Sequence, residues 1–392
     1  MAEILTPANA YKFSELTDAQ KDKVRTDFGL GDYVGYFTSV KTGTDHAINV
    51  QTLKAGKINI FVNDDIIENG DTITDLNTNS YDVVLEGCDY IPANWRCNVQ
   101  ISGTDAIVSG FITFDDINGD FLSSAGSSGS GDGQLDTAKS IFIKDDKVYI
   151  ADQVNNRIQI WDKNGNYLSK FGSSGSGDGQ FSNPTGIFVD DDYIYVADSG
   201  NNRIQLFTLA GAFSSKFGSS GSGDGQFNSP YSVCVDDNYI YVLDQGNSRV
   251  QIFTLAGVFS SKFGSSGSGD GQFSIPTGIF VDANYIYVAD SLNHRVQLFT
   301  LAGTFSSKFG SSGSGDGQFS SPHAVYTTDK WIVVTDTGND RIQIFNSNIN
   351  FISKLGSSGS GEGQFTNPVT AFLCDDVLHV LDSANNNIQK FI

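Results

Sequence analysis

Between Gly172 and Phe217 the chain carries four short apolar runs: GIFVD at 186–190, YIYVAD at 193–198, RIQLFT at 203–208 and FSSKF at 213–217. Each is rich in β-branched or aromatic residues and is bounded by Gly, Asn or Asp. That is the pattern of strands joined by tight turns, and four in succession predict a four-stranded antiparallel unit. The unit recurs. The block GSSGSGDGQ starts at Gly126, Gly172, Gly218, Gly264 and Gly310, and GSSGSGEGQ starts at Gly356, each 46 residues after the last. A strict period of this length marks a propeller, solenoid or array, and a β-helix would need much shorter repeats. Six four-stranded units predict an all-β fold, a six-bladed β-propeller over residues 112–392 with one blade per repeat.

The turn between the second and third runs carries a repeated motif. It reads NHRVQLF at 293–299, with PTGIFVD ahead of it at 276–282, and NNRIQIW, NNRIQLF, NSRVQIF, NDRIQIF and NNNIQKF in the other copies. These residues resemble the NHL repeat across residues 126–392. The resemblance implies a six-bladed propeller, the same number that the repeat count gives.

The two ends of the array complete each other. The sixth repeat stops after its third run, NNIQKFI, so its fourth strand is missing. Upstream, NGDFLSSA at 118–125 aligns 46 residues before NGNYLSKF at 164–171, which is a fourth strand. The early segment is expected to close the ring against the last one and to cover both sheet edges.

The GSSGSGDGQ loops then run from the outer strand of one blade to the inner strand of the next. Glycine permits positive φ, and Ser and Asp side chains satisfy loop backbone groups. The following Leu135, Phe181, Phe227, Phe273, Phe319 and Phe365 are expected to pack between blades. A phosphate-binding loop would need Gly-Lys-Ser/Thr opening a helix, and neither is present.

Two ladders follow the same period: Asp152, Asp198, Asp244, Asp290, Asp336 and Asp382, and, five residues later, Arg157, Arg203, Arg249, Arg295 and Arg341, with Asn387 in the sixth place. A charge-assisted hydrogen bond from each Arg to its own Asp, fixing a turn or tying blades, is favoured over a carboxylate ring that binds cations. No metal site and no cofactor are expected.

Function on a propeller concentrates where the copies diverge. The inner strands open with Lys139, Thr185, Tyr231, Thr277, His323 and Val369, each followed by a small residue suited to crowding at the axis. Lys139, Tyr231 and His323 are the candidate ligand mouth, polar and partly aromatic, able to hold a sugar or a peptide side chain. The four histidines, His46, His294, His323 and His379, form no set. Some lyases in this resemblance class use a histidine zinc site, and none can be assembled here. No Ser-His-Asp or Cys-His arrangement has support from spacing. The chain is expected not to be an enzyme.

Residues 1–111 differ from the rest. SELTDAQKDKVRTDF at 14–28 reads as one short helix, with Thr17 as N-cap and Gly29 as stop. Strand-like runs follow, from YVGYFTSV at 33–40 to the run between Asn98 and Phe114, and predict a small β-sandwich. The segment from INIFVNDD to ISGTDAIVSGF resembles immunoglobulin-type modules of bacterial and phage structural proteins. Cys88 and Cys97 are close enough in sequence for a disulfide, but free buried thiols are favoured over it.

The net charge of −21 repels phosphate backbones, so nucleic acid is an unlikely partner. No basic segment followed by an apolar run opens the chain, and no stretch of about 18 apolar residues exists, so neither a signal peptide nor membrane insertion is expected. The whole reads as a binding or structural protein of a virion, a phage tail or capsid-surface component. Its propeller would bind a host-surface protein or glycan, and its N-terminal domain would dock to other virion proteins. The alternatives are a cytoplasmic interaction scaffold and a metal-dependent propeller lyase or hydrolase.

Overall fold

In every repeat the second and third strands pair without slippage. In the second, Tyr193–Asp198 lies antiparallel to Arg203–Thr208, from Tyr193 opposite Thr208 to Asp198 opposite Arg203. Alternate apolar residues of such strands fill both faces of the sheet, so all but the rim positions are buried. The computed structural model describes residues 121–374 and 377–391 in full, and the backbone of the strands between residues 33 and 112. Two units divide the chain, Met1–Asp116 and Ile117–Ile392.

The second unit is a six-bladed β-propeller of four-stranded antiparallel blades. Blade 1 runs Ser140–Lys144, Lys147–Asp152, Arg157–Asp162 and Tyr167–Phe171 from the axis outwards. Blade 2 runs Pro184–Val189, Tyr193–Asp198, Arg203–Thr208 and Phe213–Phe217, and blades 3 and 4 repeat that pattern. The outer strand of every blade carries a register shift against its neighbour, for example between Leu206 and Phe207. In blade 5 the regular inner strand shortens to Val325–Thr327; ahead of it Ala324 N–H donates to the Thr335 hydroxyl at 2.7 Å, while His323 N–H still donates to the Thr335 carbonyl at 2.9 Å and Thr335 N–H to the Ala324 carbonyl at 3.0 Å.

Blade 6 is assembled from both ends of the unit. Pro368–Cys374, Val377–Asp382 and Asn387–Phe391 are completed by Phe121–Ala125, with Ile388 opposite Ala125 and Phe391 opposite Phe121. The Phe121 and Phe391 rings meet edge-on with centroids 6.1 Å apart.

The core is divided into six layers, each between neighbouring blades. Ala151, Ile158 and Ile160 of blade 1 pack with Ile187, Val189, Ile194 and Val196 of blade 2, and Phe181 fills the seam between them. The corresponding Leu135, Phe227, Phe273, Phe319 and Phe365 are also fully buried. Each such ring contributes roughly 1.5–3 kcal/mol. Phe181 lies over Gly172, whose φ is +92°; a Cβ there would come within 2.3 Å of the ring. The loop glycine therefore serves both a left-handed backbone and the seam phenylalanine.

In the first unit the strands pair as two antiparallel sheets. One has the order Tyr33–Val40, Ser80–Gly87, Asn59–Val62, Asp65–Ile67, and the other Thr72–Ile73, Ala47–Thr52, Cys97–Gly103, Ala106–Ile112. The expected helix at 14–28, the stacking of a sandwich core and the pairing of Cys88 with Cys97 lie outside the described residues. Among the described residues, no helix is long and apolar enough to cross a membrane.

Candidate functional site

The inner strands of the six blades line a narrow central channel with a cavity volume of about 60 Å³. Side chains at the first, second and fourth positions of these strands form levels of distinct chemistry, while the third, such as Ile141 and Ile187, is buried in the core between blades.

The first level holds Lys139, Tyr231 and His323, from blades 1, 3 and 5. The structure brings these three candidate residues together, with the smaller Thr185, Thr277 and Val369 between them. The Tyr231 hydroxyl lies 3.0 Å from His323 Nε2. His323 Nδ1 lies 2.8 Å from the Val369 carbonyl. A neutral ring satisfies both contacts when Nδ1–H donates to Val369 and Nε2 accepts from Tyr231. Burial, then the charge of Lys139, holds the His323 pKa down to about 4, against the pull of the Val369 bond. Burial pushes the Tyr231 phenol up to about 12. Both side chains keep some channel-facing surface while protein surrounds them. Lys139 makes no side-chain hydrogen bond or ion pair among the described residues, and burial lowers its pKa. It is a half-buried cation without a carboxylate in a protein of net charge −21.

The second level is small for a steric reason. A Cβ on Gly186 would come within 2.7 Å of Ser232 Cα, and one on Gly278 within 2.6 Å of the His323 carbonyl. Neighbouring inner strands approach through these positions. Hydroxyls tie the blades beside them: Thr185 donates to the Tyr231 carbonyl at 2.7 Å, and Thr277 to the His323 carbonyl at 2.8 Å.

The fourth level is an aromatic arc. Phe142 meets Phe188 at 4.5 Å and Phe372 at 5.0 Å, and Tyr326 meets Phe372 at 4.3 Å and Phe280 at 4.8 Å between centroids. Cys234 of blade 3 interrupts the arc, and burial pushes its thiol up to about 12, which keeps it protonated. The channel thus changes from a cationic, hydrogen-bonding end to an apolar aromatic end. This arc was not expected from sequence, although a Phe, Tyr or Cys recurs three residues into each inner strand.

The Asp–Arg ladders lie elsewhere. All six Asp side chains are fully buried, and in blades 1 to 5 the Arg donates to its Asp from Nε at 2.7–2.8 Å. The Arg also reaches loop carbonyls: Arg203 donates to Ser176, Gly177 and Gln180. The pair therefore pins the Gly-Ser loop that leads into its own blade, and the carboxylates do not form a cation ring on the axis. A third ladder, Gln159, Gln205, Gln251, Gln297, Gln343 and Gln389, is buried in the same network. In blade 2 it donates to the Gln180 carbonyl at 2.7 Å and accepts from Gly179 N–H at 3.0 Å. Its presence in all six copies was the sequence signal for it. Among the described residues, no group of three or more His, Cys, Asp and Glu is placed to hold a metal ion.

No curated protein matches the chain in sequence. The profile of a domain family described as a 6-bladed beta-propeller matches residues 130–217 and 222–309. Among solved structures, a streptogramin B lyase is 12% identical with a TM-score of 0.48, over 92% of this chain and 97% of its own. The virginiamycin B lyase of Staphylococcus aureus is 13% identical with a TM-score of 0.47, over 92% and 99%. A Bacteroides thetaiotaomicron protein provisionally named a phosphatase is 12% identical with a TM-score of 0.50, over 91% and 93%. Identities this low speak to the fold alone. They do correct one expectation: the chain's ring is an architecture shared with proteins named as enzymes, so the statement that it is not an enzyme does not hold on grounds of fold. What the family profile and the structure together establish is that the strands from Phe121 to Phe391 form a six-bladed β-propeller.

Proposed function

We propose that the chain is a recognition protein of a virion, a phage tail or capsid-surface component. Its NHL-type propeller binds a host-surface glycan or protein through the channel mouth, and its immunoglobulin-like N-terminal unit docks to other virion proteins. One observation supports the binding half above the others. Around a ring of near-copies, the large polar side chains that differ between blades, Lys139, Tyr231 and His323, converge on one end of the channel. The Lys139 ammonium offers three donors, and the backbone groups and hydroxyls beside it suit a polar guest. Ligand pockets of this kind combine apolar walls with a few converging polar groups. The even acidity of the remaining surface and the highly uniform blades fit a particle component that must stay soluble and present a regular face.

The test has two arms. Antibody detection in purified particles and in the soluble host fraction addresses location; a protein found soluble and absent from particles removes the virion role. Glycan- and peptide-array binding with the wild type and Lys139→Ala addresses the mouth. The reading expects binding that the variant loses, and equal binding by both forms would exclude the mouth as the ligand site.

A further inference from the structure

Five blades enclose a guanidinium in the same cage. In blade 2, Arg203 donates from Nε to Asp198 at 2.7 Å, from Nη1 to the Ser176 carbonyl at 2.9 Å, and from Nη2 to the Gly177 and Gln180 carbonyls at 2.7 and 2.8 Å. Arg157, Arg249 and Arg341 repeat all four bonds, and Arg295 repeats three of them. A lysine on the outer strand closes the loop beside each cage. Lys216 pairs with Asp178, and Lys170, Lys262, Lys308 and Lys354 make the same pair with Asp132, Asp224, Asp270 and Asp316.

Blade 6 keeps the acceptors and lacks both cations. Asp382 is fully buried, and Ser360, Gly361 and Gln364 take the loop positions of Ser176, Gly177 and Gln180. Asn387 stands in the arginine position, too short to reach that loop; its buried Oδ1 has no hydrogen-bond partner. Ser124 of the closing strand stands where the lysine would be, opposite Gln389. Glu362, in the place of the paired aspartate, is exposed and makes no ion pair among the described residues. Among the described residues Asp382 accepts from neutral donors alone: Thr366 N–H at 2.8 Å, the Asn385 side-chain amide at 2.6 Å and Asn385 backbone N–H at 3.3 Å. Burial raises its pKa against those bonds, as expected of a carboxylate without its counter-ion.

We propose that blade 6 carries a guanidinium-binding site, filled by an arginine side chain of a partner protein, with Asp382 and the carbonyls of Ser360, Gly361 and Gln364 as its acceptors. The other five blades supply the template for the guest. A carboxylate facing Nε and carbonyls facing both Nη atoms fit the planar fork of arginine; a lysine ammonium is a point charge that cannot span them. The two missing cations are the one that fills the cage and the one that pairs with its flanking loop, and Glu362 adds negative charge on that loop. This site is separate from the channel mouth and does not depend on it.

Titration calorimetry of the full chain with blocked Gly-Arg-Gly and Gly-Lys-Gly peptides tests it. The arginine peptide should bind one to one, and the lysine peptide at least about tenfold more weakly. Asn387→Arg, which supplies the cage from within, should abolish peptide binding and raise the melting temperature. Asp382→Asn, nearly isosteric, should weaken binding at least about tenfold. No saturable binding by the wild type, or undiminished binding by Asp382→Asn, would overturn the proposal, and those two measurements decide it even should Asn387→Arg not fold.

Discussion

The Tyr231 hydroxyl and His323 Nε2 stand 3.0 Å apart although 92 residues separate them in sequence. The contact skips a whole blade and spans the mouth of the channel. It makes His323 a reporter of the ring's integrity, because the imidazole is buried only when blades 1, 3 and 5 all converge.

A pH dependence follows. An unfolded histidine titrates near 6.5, whereas burial and Lys139 hold His323 down to about 4. As pH falls the unfolded chain takes up this proton first, so the stability that neutral His323 contributes is complete above about 6.5 and is lost between about 6.5 and 4. The melting temperature should fall across that window, and His323→Gln should flatten the fall. Identical profiles for the two proteins would contradict the assignment.

Lys139 is a cation held in the channel with no carboxylate partner among the described residues. Lys139→Met keeps the length and removes the desolvated charge, so it should stabilise the propeller by about 1 kcal/mol, read as a rise in melting temperature. It should also let the His323 pKa climb, measured by NMR titration of the imidazole protons. A drop in stability would show that the ammonium has a partner the geometry does not reveal.

The ladders are predicted to matter unequally. Arg203→Met leaves Asp198 buried and unpaired and frees three loop carbonyls, and should cost about 3–5 kcal/mol in denaturant unfolding. Asn387→Ala removes no side-chain hydrogen bond and should cost under about 1 kcal/mol. Similar losses at both positions would mean that the Arg–Asp pairs do not hold the loops.

The seam is open to a direct test. Phe391 is 1% exposed and packs on Phe121 and Phe365. Phe391→Ala should cost about 3–5 kcal/mol. Removal of residues 387–392 should bare two sheet edges and drive self-association, visible by light scattering.

Much of this architecture was legible in advance because period and strand chemistry are both local. The runs 193–198, 203–208 and 213–217 coincide with strands of blade 2, and the inner strand begins two residues earlier than its apolar run, at Pro184. The closing strand at 121–125 followed from counting repeats. The convergence of Lys139, Tyr231 and His323 was also readable, since equal repeat positions share a level of the ring. The recurrence of Gln and of Phe, Tyr or Cys at fixed repeat positions was visible, but not what they contact, because a repeated Phe or Gln has the same local pattern whether it faces a neighbour, a loop or the axis. The reach of each Arg into the Gly-Ser loop depends on a separation of more than twenty residues, which no local pattern encodes. The small parallel pairings inside those loops, such as Ser219 with Gln226, have no strand-like composition at all.

The completion of blade 6 by Phe121–Ala125 has a consequence for biosynthesis. Of the propeller's strands this one leaves the ribosome first, and its neighbour Asn387–Phe391 leaves last. The first-made strand must wait through the translation of every other blade, so the ring locks only after residue 391 has emerged. Contacts of such long range fold slowly and leave sheet edges exposed meanwhile. A prematurely terminated product therefore cannot pass as finished: without its final strand it carries the open edges by which quality control recognises an incomplete chain.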